Sequence, residues 1–181
     1  MSKDLRWLVT CPKGAEELLI NEITALSASE VSSSLGIVSA HGDLKLGYRI
    51  CLWSRLANRV LLSLHRFREI DADNIYRQCS EIPWENHITE SSQICVDFVG
   101  KSESIKNSMF GAQRVKDAIV DRFAASTGIR PNIDTKNPDL RVNARLKKGY
   151  IDISIDFSGS SLHKRGYREG QGTAPLKENL A

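Results

Sequence analysis

The stretch LRVNARLKKGYIDISIDF, residues 140–157, constrains the fold more tightly than any other part of the 181-residue chain. Leu140, Val142, Ala144 and Leu146 alternate with Arg141, Asn143, Arg145 and Lys147, and Ile151, Ile153, Ile155 and Phe157 alternate with Asp152, Ser154 and Asp156. A period of two marks strands, and Lys148-Gly149 between them suits a two-residue turn. With that turn Lys147 faces Tyr150, and counting outward sets Arg145 opposite Asp152 and Arg141 opposite Asp156. One face of the hairpin is then apolar and the other carries two ion pairs, each cross-strand pair contributing about 0.2–1 kcal/mol. Arg141 and Arg145 are expected to stabilise the sheet before they do anything else.

The remaining elements are read around this hairpin. LRWLVTC (5–11) alternates as a strand, and PKGAEELLINEITALSA follows with Pro12 at a helix start and Ala15, Leu18, Leu19, Ile23 and Leu26 at helical spacing. SASEVSSSLGIVSAHGD leaves room for two short strands before Gly42 and Asp43 introduce a second helix, and RVLLSLHRFREI returns as a strand. The order over residues 1–68 is β-α-β-β-α-β, the ferredoxin-like arrangement. A second unit begins at DADNIYRQCSEI, a short helix capped by Asp71 or Asp73, then PWENHI as a turn and SQICVDFVG as a strand. Asn107 or Ser108 is placed to cap a helix over 109–126, whose Ala112, Val115, Ala118, Ile119 and Phe123 form one stripe. Between Pro131 and Pro138 there is little regular pattern. Thr173 and Pro175 suit the start of a further helix with Leu176 and Leu180 on one face.

Composition is globular, with 41% hydrophobic and 26% charged residues, enough for one core or two small ones. No apolar run approaches the ~18 residues of a membrane span, and MSKDLRWLVTCPKG has a charge where a signal peptide is apolar, so a cytoplasmic protein is expected. Cys11, Cys51, Cys79 and Cys95 are far apart, and the four histidines cluster neither with one another nor with a cysteine. Buried or half-buried thiols are expected rather than a zinc site or a disulfide framework. The net charge of +3 is unevenly spread. Residues 1–90 hold 10 Lys/Arg against 12 Asp/Glu, and residues 91–181 hold 15 against 10. A basic second half makes a polyanionic partner plausible.

Catalytic patterns are missing: there is no P-loop, no G-x-G-x-x-G after a strand, no H-E-x-x-H and no G-x-S-x-G. GYREGQG follows a basic stretch and reads as a connector. The residue types left to do chemistry are cations. Lys101 and Lys106 flank a loop leading to the 109–126 helix, whose N-terminal N–H groups favour a phosphate. Arg114 and Lys116 lie off that helix's apolar stripe, and Lys164, Arg165 and Arg168 cluster in LHKRGYR with Tyr167 as a stacking surface. These seven cations are the expected RNA-binding set, and no catalytic or metal-binding residue is expected.

In order and spacing, GAEELLINEI, LWSRLANRVLLSL, NSMFGAQRVKDAIVDRF, RPNIDTKNPDLRVNARL and IDISIDFSGSSLHKRGYR...APLKENLA resemble the N-terminal region of the bacterial 23S rRNA guanine-N2 methyltransferases, often the first half of a bifunctional K/L enzyme. The resemblance covers essentially the whole chain, and LHKRGYR...APLKE is its most specific part. It implies an α+β (mixed α/β) fold with a ferredoxin-like subdomain at 1–68. A THUMP RNA-binding domain with a mixed sheet and C-terminal hairpin follows at 69–168, its family boundary starting as early as residue 46. Residues 169–181 become a linker and the first turns of a methyltransferase domain. By resemblance that domain binds S-adenosylmethionine and carries an Asn/Asp-Pro-Pro-Tyr motif absent here, so no cofactor is expected in this chain. The implied partners are 23S rRNA and the methyltransferase domain of the same protein, with no membrane. Other readings stay open: a THUMP module of a tRNA-modifying enzyme, a ferredoxin-like small-ligand or dimerisation module without RNA, or an enzyme using Cys11 as a thiol activated by the helix that follows.

Overall fold

The computed structural model describes residues 4–166 and Glu178, and these divide into two compact units: residues up to Leu62 together with those from Asp156 onward, and residues Ser63–Ile155. The helix expected from Thr173 lies outside the described residues apart from Glu178.

In the first unit β1 (Leu5–Thr10), α1 (Glu16–Ala25), β2 (Ser29–Ser34), β3 (Ile37–Gly42), α2 (Leu44–Trp53) and the opening of β4 (Arg59–Arg68) follow in the ferredoxin-like order. The strands lie in the order β2-β3-β1-β4, with antiparallel pairing between neighbours. β1 is an inner strand, and its Trp7, Leu8 and Val9 are all buried. Leu46, Gly47 and Ile50 form the buried face of α2, where a side chain at Gly47 would collide with the Trp7 indole. The missing Cβ therefore sets how closely this helix approaches the sheet. Asp43 caps α2 by accepting from the Leu46 N–H at 2.9 Å. α1 starts later than Pro12 suggests, because the Glu16 carboxylate instead accepts from the Gly14 and Gly36 N–H groups at 2.8 and 2.7 Å. Leu19 and Ile23 are buried on α1, while Leu18 faces solvent.

The chain rejoins this unit at Asp156. The Phe157 and Leu162 N–H groups donate to the Val60 and Asn58 carbonyls at 2.9 Å each, and the Phe157 ring meets Trp7 edge-on at 5.1 Å.

The second unit contains the rest of β4, α3 (Ala72–Ser80), a 3-10 turn at Trp84–Asn86, β5 (Gln93–Val99), α4 (Ser108–Thr127), β6 (Asn132–Ile133), β7 (Leu140–Lys147) and β8 (Tyr150–Asp156). Strand order is β4-β8-β7-β5-β6, with β5 parallel to both β6 and β7 and β7 antiparallel to β8, so the sheet is mixed as expected. Asp71 caps α3 through the Asn74 N–H at 2.6 Å, and Asn107 caps α4 through the Met109 N–H at 2.8 Å. Val115, Ala118, Ile119 and Phe123 of α4 are buried in a core shared with Ile75, Trp84, Ile94 and Phe98. The segment between Pro131 and Pro138 supplies the two-residue strand β6.

The hairpin register is the one the alternation predicts. Lys147 pairs with Tyr150, Arg145 with Asp152, and Leu146, Ala144 and Val142 with Ile151, Ile153 and Ile155. Lys148 and Gly149 both take positive φ, 52° and 74°, as a type I′ turn requires. The expected ion pairs are different. Arg141 binds Asp97 of β5 at 2.9 Å, Asp156 binds Arg59 at 2.5 Å, and Asp152 accepts from Ser63 Oγ at 2.7 Å. β8 is an inner strand, buried at Asp152 and Ser154 as well as at its isoleucines, so its carboxylates find partners on a strand other than β7. Alternation alone does not reveal that second neighbour.

The Gly47 contact gives a direct test. Gly47→Ala should cost about 1–3 kcal/mol through overpacking against Trp7, read as a lower urea midpoint at unchanged slope. Unchanged stability would mean that α2 does not sit on the indole.

Candidate nucleic-acid interface

Several expected RNA contacts are occupied by the protein itself. The Arg114 guanidinium binds Asp73 at 2.6 Å, donates to the Ala72 carbonyl at 3.4 Å and lies 5.1 Å from the Tyr76 ring centroid. Lys116 pairs with Asp117 at 2.6 Å. In the first unit, Arg165 points its Nη2 at the Cys51 and Ser54 carbonyls, 3.0 and 2.8 Å away, and its Nη1 at the Leu52 carbonyl at 3.4 Å. Its charge thus satisfies carbonyls at the C-terminal end of α2, where a cation complements the helix dipole. Its own N–H donates to Glu178 at 3.0 Å. Lys164 is exposed in the same unit, and Arg168 with Tyr167 lies outside the described residues.

Lys101 and Lys106 are different. Both are exposed, and among the described residues neither has a carboxylate partner. They stand at one edge of the second unit, where β4, β5 and β7 end and β8 begins. Three contacts assemble this edge. Gly100 has φ +116°, and a Cβ there would overlap the Leu146 carbonyl, so the loop after β5 lies directly on the end of β7. Gly111, in the first turn of α4, has room for no side chain because the Phe98 ring would stand 2.8 Å away, which seats the start of α4 on the end of β5. The Glu69 N–H donates to the Gly149 carbonyl at 2.8 Å, tying the exit of β4 to the β7–β8 turn.

The same three contacts gather further cations. Arg66 and Arg68 at the end of β4 and Lys147 and Lys148 at the turn are exposed beside the Lys101 loop. Among the described residues Arg68 and Lys148 have no carboxylate partner. Two carboxylates lie at this edge: Glu69 is turned to the hydroxyls of Ser102, at 2.8 Å, and Ser104, and Glu103 is exposed in the Lys101–Lys106 loop. The signal for them in the sequence is the Lys147-Lys148 pair at the hairpin turn. The phosphate seat expected at the α4 N-terminus is partly filled, because Asn107 takes up one of the free N–H groups.

The buried thiols are not activated. Cys11 is buried and precedes α1 by several residues; burial, with Glu16 adding to it, pushes its thiol up to about 11, against the activation expected of a helix N-terminus. Burial likewise pushes the Cys79 thiol up to about 12. Among the described residues no cluster of His, Cys, Asp and Glu suits a metal, and no helix is long and apolar enough to cross a membrane. An open groove of about 680 Å³ in the first unit is lined by Leu18, Leu26, Trp53 and Leu56. Its carboxylate, Glu22, is already bound by Ser54 Oγ at 2.7 Å and the Arg55 N–H at 3.2 Å.

Comparison with known proteins places both units. Residues 6–61 match the RlmL ferredoxin-like domain and residues 69–156 match the THUMP domain, so the chain is a ferredoxin-like domain of that type followed by a THUMP domain. The ribosomal RNA large subunit methyltransferase K/L of Stutzerimonas stutzeri (strain A1501) is 52% identical over 174 residues, covering 96% of this chain and 24% of that protein. The chain spans about a quarter of the length of the curated relatives it matches. Among solved structures, a predicted N6-adenine-specific DNA methylase from Listeria monocytogenes str. 4b F2365 superposes with a TM-score of 0.86 at 27% identity, covering 98% of this chain and 47% of that one. SMU.472, complexed with SAH, superposes at 0.85 and 25% identity, covering 99% and 48%.

Arg165→Met should remove the cation that holds the end of α2 and cost about 1.5–3 kcal/mol, the range for hydrogen bonds to charged groups, in urea unfolding. A stability loss below about 0.5 kcal/mol would return Arg165 to the set of available cations.

Proposed function

We propose that this chain is the RNA-docking region of an S-adenosylmethionine-dependent 23S rRNA guanine-N2 methyltransferase acting in the cytoplasm, and that methyl transfer takes place in a domain outside these 181 residues. The observation that carries the reading is the cationic edge of the THUMP unit, where Lys101, Lys106, Arg68 and Lys148 converge without acidic partners among the described residues. The relatives named as ribosomal RNA methyltransferases support the substrate class, and the SAH-bound neighbour supports the cofactor.

Cations of this kind bind phosphates and orient an RNA without reading its sequence. In the docking step the lysine and arginine edge holds the sugar-phosphate framework beside the target nucleotide. A base must leave its stack before its exocyclic amine can be methylated, and a fixed flanking RNA makes that step effectively intramolecular. S-adenosylmethionine would supply the methyl group, but the described residues do not fit it. The strand-to-helix turns before α1, α2 and α4 are closed by their own side chains, Glu16, Asp43 and Asn107, leaving no open glycine cradle.

Binding of a 23S rRNA fragment should weaken steeply with salt, and the triple variant Lys101→Ala, Lys106→Ala, Lys148→Ala should lower the slope of log K against log salt by about two to three, near one per phosphate contact. Arg114→Ala should change that slope by less. A triple variant with the wild-type slope would remove the edge from the docking surface.

A further inference from the structure

The edge holds one feature that phosphate contacts do not use. Tyr150 is the first residue of β8, directly after the positive-φ turn, and it is 45% exposed. The Arg66 guanidinium lies 5.1 Å from its ring centroid, and Lys147 stands opposite it in the register. The ring is not part of the hydrophobic core: Ile151, Ile153 and Ile155 of the same strand supply that. An aromatic ring held at a turn by an arginine, with Lys148 and Arg68 beside it, combines a π surface with positive charge.

Resting on the RNA-docking reading, we infer that Tyr150 and Arg66 form a stacking platform for an unpaired nucleotide, so that this edge takes a single-stranded or looped-out RNA segment in preference to a continuous duplex. A paired base is already stacked on its neighbours and shows a protein only phosphates, riboses and a groove, none of which makes use of a ring face. An unpaired base has its π face free, and stacking on an aromatic side chain is tolerant of base identity. Lys101, Lys148 and Arg68 then hold the phosphates on either side, while the platform fixes where along the strand they sit.

The test uses the 181-residue chain with a short single-stranded RNA carrying one 2-aminopurine, and with a duplex of the same length as the comparison. Wild-type protein should quench the 2-aminopurine and bind the single strand more tightly than the duplex. Tyr150→Leu, which keeps an apolar side chain at the strand start, should weaken single-strand binding by about five- to hundredfold. It should leave duplex binding and the salt slope within experimental error. Quenching by the wild-type protein reads the platform without any substitution, so a poorly folded variant does not remove the test. Salt-dependent RNA binding with no quenching and no preference for the single strand would overturn the platform and leave the docking reading standing. No salt-dependent binding to either RNA would overturn both.

Discussion

At Gly100 the backbone runs so close to the Leu146 carbonyl that no other residue's Cβ fits, and at Gly111 the first turn of α4 rests on the Phe98 ring in the same way. These two approaches fix where the second unit ends on one side. They bring the loop after β5, the start of α4 and the β7–β8 turn to a common edge, and the Glu69–Gly149 hydrogen bond adds the exit of β4. A side chain at either glycine would push the loop or the helix outward and spread the lysines and arginines that those segments carry. The location of positive charge thus follows from core packing in this unit.

Local partners then decide which cations remain for a polyanion. Arg114, Lys116, Arg122, Arg130 and Arg141 each lie within 3.0 Å of a carboxylate, all in the second unit. The Arg122 pair is strong enough to hold Glu85 below the usual carboxylate range. Arg165 is bound by main-chain carbonyls in the first unit. Exposed ion pairs contribute little to stability, yet each occupies a cation's donors and cancels its field at a distance. At the edge, Glu69 is engaged by two serine hydroxyls rather than by the cations, and Glu103 is exposed in the same loop.

The sequence displayed what depends on local geometry. Hairpin register follows from alternation plus a turn with two positive-φ residues, and it is correct residue by residue from Lys147–Tyr150 to Val142–Ile155. The ferredoxin-like order follows from helix and strand periods, and the caps at Asp71 and Asn107 follow from residue type. Contacts across large sequence separation were not legible. Arg141 takes Asp97 and Asp156 takes Arg59, because a strand inside a sheet has two neighbours and the hairpin reveals only one of them. Arg165 reaches carbonyls more than a hundred residues earlier in the chain, and no local pattern marks that role. The edge itself was half legible: Lys101 and Lys106 stood out beside a helix start, whereas Arg66, Arg68 and Tyr150 acquire meaning only once β4 meets the turn.

Hydrogen–deuterium exchange of the chain with and without a 23S rRNA fragment tests the account most directly, because it locates the RNA without presupposing any residue. The account predicts slowed exchange in three stretches, around residues 66–69, 100–108 and 146–150, with the α1–α2 surface of the first unit unchanged. Slowed exchange confined to the first unit, or RNA bound with none of those three stretches affected, would contradict it.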